Sequence, residues 1–161
     1  MTETNDFSIL LARLDDVRIG LPALAVREII RAVAIEALPG APAIVEGVIN
    51  VRGRITPVID ARTRLGFPAL ELSPEQFMVT LDVGDRVIAI RVDDVEDVVE
   101  LQRAMLQVPT SISPVLQRLA GVASTAEGAI VLYDVSAFLD QAEREALDRV
   151  TAGAGERVVS A

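Results

Sequence analysis

The sequence predicts a mainly β protein: two small barrels packed side by side, with short helices and a C-terminal helix. Three observations lead there. Apolar residues alternate at period two in short runs bounded by Gly, Pro and Asp, the pattern of half-buried strands. The same order of elements occurs twice along the chain. With 161 residues, 51% of them hydrophobic, the chain can bury a core as one domain or two small ones.

Phe7–Leu14 and the period-two face Val17, Ile19 and Leu21 flank Asp15-Asp16 as a hairpin, which Pro22 ends. Val26, Ile29 and Ile30 stand three and four apart, which predicts one or two helical turns within Ala23–Ile30. Val33–Leu38 alternates again, up to Pro39-Gly40-Ala41-Pro42. Gly47–Val51 and Arg54–Asp60 flank Arg52-Gly53, read as a two-residue hairpin turn in which Gly takes the positive φ. Ala61–Leu65 reads as a helical turn, and Gly66–Pro74 as a connection. A second hairpin runs through Phe77, Val79, Leu81 and Val83, turns at Gly84-Asp85, and returns through Ile88, Ile90 and Val92.

Asp93, Asp94, Glu96, Asp97 and Glu100 form an acidic run broken by Val95, Val98 and Val99. It lacks the Asp-x-Asp-x-Asp-Gly pattern of a calcium loop and reads as a solvated helical turn. Leu139, Ala146, Leu147 and Val150 give a helical stripe interrupted by Glu143, which predicts a helix over 136–150.

The repeat has two offsets. At 69, Ile19, Leu21, Val26, Ile29 and Ile30 meet Ile88, Ile90, Val95, Val98 and Val99. At 74, Gly47-Val48 meets Gly121-Val122, and Val58-Ile59-Asp60 meets Leu132-Tyr133-Asp134. The expected organisation is a flexible start over 1–6, one domain over 7–150 with barrel halves near 7–66 and 75–139, and a flexible tail over 151–161.

Composition excludes more chemistry than charge does. All 15 basic residues are Arg, and Lys, His, Cys and Trp are absent. No thiolate, imidazole or Schiff-base chemistry is available, and no cofactor or metal site is expected. An enzyme is a poor first reading. A net charge of −9 with four Phe and one Tyr argues against nucleic acid and anionic membranes. The polar, acidic start Met-Thr-Glu-Thr-Asn-Asp is unlike a secretory signal, and no apolar run is long enough for a spanning helix, so a cytoplasmic protein is expected.

The stretch 42–66 carries a more specific signal. Pro42-Ala43, Gly47-Val48, Asn50-Val51-Arg52-Gly53 and Pro57-Val58-Ile59-Asp60 resemble the signature of the CheW family, the coupling proteins of bacterial chemotaxis. Val26-Arg27-Glu28-Ile29, Val92-Asp93-Asp94-Val95 and the closing Ile130–Leu139 segment agree, so the resemblance covers roughly 7–150. Val51 stands where most members have Leu. The resemblance implies two SH3-like five-stranded β-barrel subdomains and no enzymatic activity. It also implies partners: the cytoplasmic hairpin tip of chemoreceptors, the regulatory domain of the histidine kinase CheA, and other CheW-like proteins. The protein would then sit at membrane-associated receptor arrays through those partners. A scaffold for pilus motility or gene regulation, and a small-ligand-binding β-barrel, are the alternatives.

The resemblance points to Glu28 and Arg52 as an ion pair on the receptor-facing side, with Val26, Ile29, Val48, Asn50 and Gly53 around it. Asn50 and Gly53 read first as turn-forming residues that present Arg52. Val26, Ile29, Val48 and Val51 read either as core or as the wall of a groove for a receptor helix. Arg52, Arg54, Arg62 and Arg64 form a locally basic segment, expected to be solvated or to face acidic partner residues. No residue signals the kinase contact.

Overall fold

The computed structural model describes residues 6–107 and 119–159. Its strands are β1 (Asp6–Leu14), β2 (Val17–Pro22), β3 (Val26–Arg31), β4 (Val45–Val51), β5 (Arg54–Ile59), β6 (Phe77–Asp82), β7 (Val87–Val92), β8 (Asp94–Gln102), β9 (Leu106–Gln107), β10 (Leu119–Thr125) and β11 (Gly128–Tyr133). Its α-helices are α1 (Ala61–Leu65) and α2 (Gln141–Val159). One sheet runs β3-β6-β7-β5-β4, the other β8-β1-β2-β11-β10-β9. The second therefore carries a sixth strand, the two-residue β9.

The sheets do not divide the chain at its middle, as the repeat led us to expect with halves at 7–66 and 75–139. One subdomain is continuous, from β3 to β7, and is inserted between β2 and β8 of the other. Each sheet takes its leading hairpin from one repeat and its remaining strands from the other. The joins are parallel: Val58 and Ile59 of β5 lie opposite Ala89 and Ile90 of β7, and Val131 and Leu132 of β11 opposite Ile19 and Gly20 of β2. Leu132 opposite Gly20 and Val58 opposite Ala89 are the same pair seen at the two repeat offsets.

The repeat governs packing as well. Between the sheets, Leu10, Ala12, Ile19 and Leu21 share one apolar cluster with Val79, Leu81, Ile88 and Ile90, their counterparts at the offset of 69. Leu147 of α2 joins that cluster. Each subdomain has its own smaller cluster: Ile9, Ala123 and Leu132 in one, Met78, Ile49 and Val58 in the other. These too are counterparts, at 69, 74 and 74. Gly20 is required by the first cluster, since a Cβ there would lie 2.3 Å from a Leu132 methyl carbon.

Three local expectations change. Val26–Ile30 forms strand β3 after a single 3-10 turn over Ala23–Ala25, because pairing with β6 outweighs a short helical spacing. From Asp94 on, the acidic run is strand β8, an edge strand whose charges make that edge unattractive to further strands, while Asp93 lies just before it. Val33–Leu38 is an irregular connection held by one bridge, between Glu36 and Val48. At the ends, residues 1–5 lie outside the described residues and Asp6 opens β1. The C-terminal helix begins at Gln141, after a 3-10 turn over Val135–Phe138, and runs to Val159 rather than stopping at 150.

Arg62 is the buried charge at the junction. It stands in α1, which Asp60 caps by accepting the Thr63 N–H, and its side chain is 5% exposed. The guanidinium donates to Asp15 in the β1–β2 turn and to Asp93 between β7 and β8, both at 2.6 Å, and to the Pro68 carbonyl at 2.6 Å. Burial alone would lower its pKa, but the two carboxylates more than offset this and the net shift is upward. The expected solvated role of Arg62 and Arg64 is thus replaced by a structural one, since Arg64 also pairs with Glu143 of α2. Arg62→Ala should destabilise the protein by about 2–4 kcal/mol, read by urea unfolding, because it leaves two neighbouring carboxylates without their cation.

Two surface clusters couple stability to acid. The hydrogen bond from Arg144 of α2 holds the Asp85 carboxyl below its usual range, against a smaller desolvation effect. Burial raises the Glu96 pKa, but bonds from Arg18 and Arg13 outweigh it and the net shift is downward. Groups depressed in the fold stabilise it above their unfolded values and lose that contribution as pH falls through the folded ones. The urea midpoint should therefore fall below about pH 4.5. An Asp85→Asn, Glu96→Gln double variant should start lower at pH 7 and fall less steeply.

Candidate functional site

β3 and β4 are the two edges of the continuous subdomain's sheet, and the candidate residues lie where those edges meet. β3 alternates strictly between half-buried and exposed residues, so Val26, Glu28 and Ile30 face inward and Arg27, Ile29 and Arg31 outward. The register slips between Val26 and Glu28 against β6. At that slip the Thr80 hydroxyl accepts the Glu28 N–H at 2.9 Å and lies 3.3 Å from the Glu28 carbonyl. Thr80, a polar residue in the middle of the apolar run Phe77–Val83, is the sequence sign of this clamp.

Across the seam, β4 and β5 turn through Arg52 and Gly53, at φ 53° and 84°. Both central residues are left-handed, as a type I′ hairpin requires; Gly53 adopts this freely, whereas Arg52 does so under strain. The Asn50 side-chain oxygen accepts the Gly53 N–H at 2.7 Å and fixes the turn. The Arg52 Nε then donates to a Glu28 carboxylate oxygen at 2.7 Å. Arg52 is 83% exposed and Glu28 30% exposed, so the pair remains available to a partner. Below it, Glu36 and Val48 exchange backbone hydrogen bonds at 2.8 and 2.9 Å and close the same seam.

The expected residues therefore separate into kinds. Glu28 and Arg52 meet; Asn50 and Gly53 shape the turn. Val48 is buried and Val26 half-buried, whereas Ile29 is 42% exposed on the opposite face of β3. A single groove wall formed by Val26, Ile29 and Val48 together is not present. Of the four groove candidates only Val51 borders the recess of about 210 Å³ beside the pair, together with Arg27, Glu28, Arg52, Arg54, Thr56, Thr80 and Val87. Three arginines border it with Glu28, Arg27 pairing with Asp82 at 3.6 Å and Arg52 with Glu28, in a chain whose net charge is −9.

The repeat supplies an internal control for the pair. The counterparts of Glu28 and Arg52 in the other subdomain are Asp97 and Ala126. The turn there is in the same place, with Thr125 opposite Gly128 as Val51 is opposite Arg54. That hairpin closes without an arginine.

Comparison with known proteins places this arrangement. A family model described as the CheW-like domain matches residues 8–143. The chain belongs to the CheW family. It is 32% identical over 136 residues to the chemotaxis protein CheW of Rhizobium meliloti, covering 83% of this chain and 88% of that one. It is 29% identical over 140 residues to the protein FrzA of Myxococcus xanthus, covering 85% and 88%. Among solved structures, the scaffolding protein TtCheW from Thermoanaerobacter tengcongensis superposes with a TM-score of 0.76 at 24% identity, covering 85% of this chain and 90% of that one. The fold is the family's: two SH3-like subdomains, mainly β, with few short helices and a C-terminal helix. CheW-family proteins are non-catalytic adaptors in chemotaxis signalling, and this chain is one of them. Among the described residues no helix is long and apolar enough to cross a membrane.

The turn geometry can be tested directly. No atom lies within 4 Å of the Cβ that a substitution would place on Gly53, so its cost is conformational rather than steric. Gly53→Val should lower stability by about 1–2 kcal/mol in urea unfolding, the penalty of a β-branched residue held left-handed. A midpoint equal to wild type would show that the turn relaxes without loss.

Proposed function

We propose that this chain couples the cytoplasmic hairpin tips of chemoreceptors to the regulatory domain of the histidine kinase CheA, with the receptor contact centred on Glu28 and Arg52. The observation that carries this reading is the pair itself: exposed, held by Thr80 and Asn50, and absent from the equivalent corner of the other subdomain. The fold closes that second corner with Ala126, so the arginine serves recognition rather than closure. Asn50 and Gly53 present it, Val26 and Val48 support it from beneath, and Ile29 offers an apolar contact on the outer face of β3. The recess beside the pair suits an acidic receptor segment.

In this reading the kinase binds a separate surface, and other CheW-like proteins join the same assembly. Coupling is thermodynamic: holding receptor and kinase together raises their effective concentration and biases the kinase between states. The protein works in the cytoplasm, at receptor arrays, through its partners.

Arg52→Glu is the decisive variant. A pair this exposed contributes about 0–1 kcal/mol to stability, so the variant should remain folded. Calorimetric titration should show unchanged binding to the kinase regulatory domain from the same genome. Receptor-dependent kinase activation should be lost in a reconstituted array. Full activation by the variant would overturn the assignment. The charge-reversed pair, Glu28→Arg with Arg52→Glu, should recover stability without recovering activation.

A further inference from the structure

The two subdomains differ at a second pair of equivalent places, and a cavity stands at one of them. In the continuous subdomain, Arg91 donates to both carboxylate oxygens of Glu46, at 3.0 and 2.5 Å, and to the side-chain oxygen of Gln76 at 3.0 Å. In this polar cluster Arg91 stands opposite Met78 across β6 and β7, beside the apolar residues Met78, Ala89 and Val58. The counterparts of Gln76, Arg91 and Glu46 in the other subdomain are Phe7, Pro22 and Ala120, at offsets of 69, 69 and 74. None of them can reproduce the cluster. A largely apolar cavity of about 260 Å³ stands there instead, over Ile9, Gly20 and Leu132.

The one charged residue in its lining is Arg103. The Arg103 guanidinium lies over the Phe7 ring, 5.8 Å from its centroid, and has no carboxylate partner among the described residues. Tyr133, at the end of β11, also borders the cavity, with its ring packed towards Phe138 in the large apolar cluster.

We propose that this cavity is a binding site for a small aromatic monocarboxylate, its ring against Phe7 and Leu132 and its carboxylate on Arg103. Size supports the class, since an apolar cavity of about 150 Å³ already holds a benzene ring. The remaining volume accommodates a short acid tail. Charge supports it too: a cation at the mouth of an apolar cavity selects an anion with an apolar body. The proposal is independent of the receptor assignment, because the cavity lies in the other subdomain from Glu28 and Arg52.

The test uses the ¹⁵N-labelled full chain, titrated with phenylacetate and, separately, with the neutral 2-phenylethanol. Phenylacetate should shift the Gly20, Leu132 and Tyr133 amides saturably and leave the Arg52-Gly53 turn unmoved. It should bind about three-fold tighter than the alcohol, the size of an exposed ion pair's contribution. Arg103→Gln, at an exposed position, should remove that preference while the alcohol still binds. Ala120→Phe, also at an exposed position, should fill the cavity and abolish both. Absence of saturable shifts with either probe, or shifts that survive Ala120→Phe, would overturn the site. Equal affinity for acid and alcohol in the wild type would overturn the carboxylate assignment.

Discussion

The parallel contacts of β5 with β7 and of β11 with β2 are the constraint on which the rest of the structure depends. Parallel neighbours cannot be joined by a tight turn, so the chain must leave the sheet and return. In the first half it does so through α1 and the connection to β6. That crossing interleaves the repeats: the continuous subdomain takes the β6–β7 hairpin, and the outer one is completed by β8 to β11. The large apolar cluster then lies between the sheets, with equivalent residues of both repeats facing each other. Neither sheet owns that core. Arg62 sits where the crossing helix meets the two strand ends it must pass, and its bonds to Asp15 and Asp93 join the outer subdomain's hairpin to the end of β7. A buried cation with two carboxylates is a poor source of net stability but a strict one of geometry, since any other docking leaves charges unmatched.

Much of this was legible in the sequence. The hairpins followed from period-two alternation around Asp15-Asp16, Arg52-Gly53 and Gly84-Asp85, because those turns require left-handed residues that few side chains adopt easily. Both repeat offsets survive in the structure down to single core contacts. The interleaving was not legible, because the repeat says which segments are alike and nothing about which copy pairs with which. Val26–Ile30 misled for a related reason. Apolar residues at 26, 29 and 30 fit a helical turn, and Glu28 on the inner face breaks the alternation that would have marked a strand. Its inward position makes sense only with Arg52 across the seam and Thr80 beneath, neither of which is near in sequence. Arg62 was misread because a charge among other arginines looks solvated until its partners, 47 and 31 residues away, are placed beside it.

The repeat also separates what the fold needs from what it carries. Positions filled alike in both subdomains, such as Ile9 with Met78 or Asp134 with Asp60, are explained by packing or capping: both aspartates accept a backbone N–H at the start of a short helical turn. Positions filled differently are free of that duty. The Glu28–Arg52 corner against Asp97 and Ala126 is one, and the Arg91–Glu46 cluster against Pro22 and Ala120 is another. Pseudo-symmetry inside one chain thus does some of the work for which a set of related sequences would otherwise be needed.

Net charge and local charge pull in opposite directions at the Glu28–Arg52 corner, and distance decides between them. At physiological ionic strength the Debye length is about 8 Å, so a charge more than that away through solvent is largely screened. A partner approaching from afar meets an acidic protein and is not steered towards the basic recess. Once its acidic groups are within a few ångströms of Arg27, Arg52 and Arg54, those guanidinium groups dominate, and the acidic strand β8 lies in the other sheet. Such a surface discriminates at contact rather than at long range. It suits an adaptor delivered to its partners by an assembly, where local concentration replaces steering and the contact need only be correct, not strong.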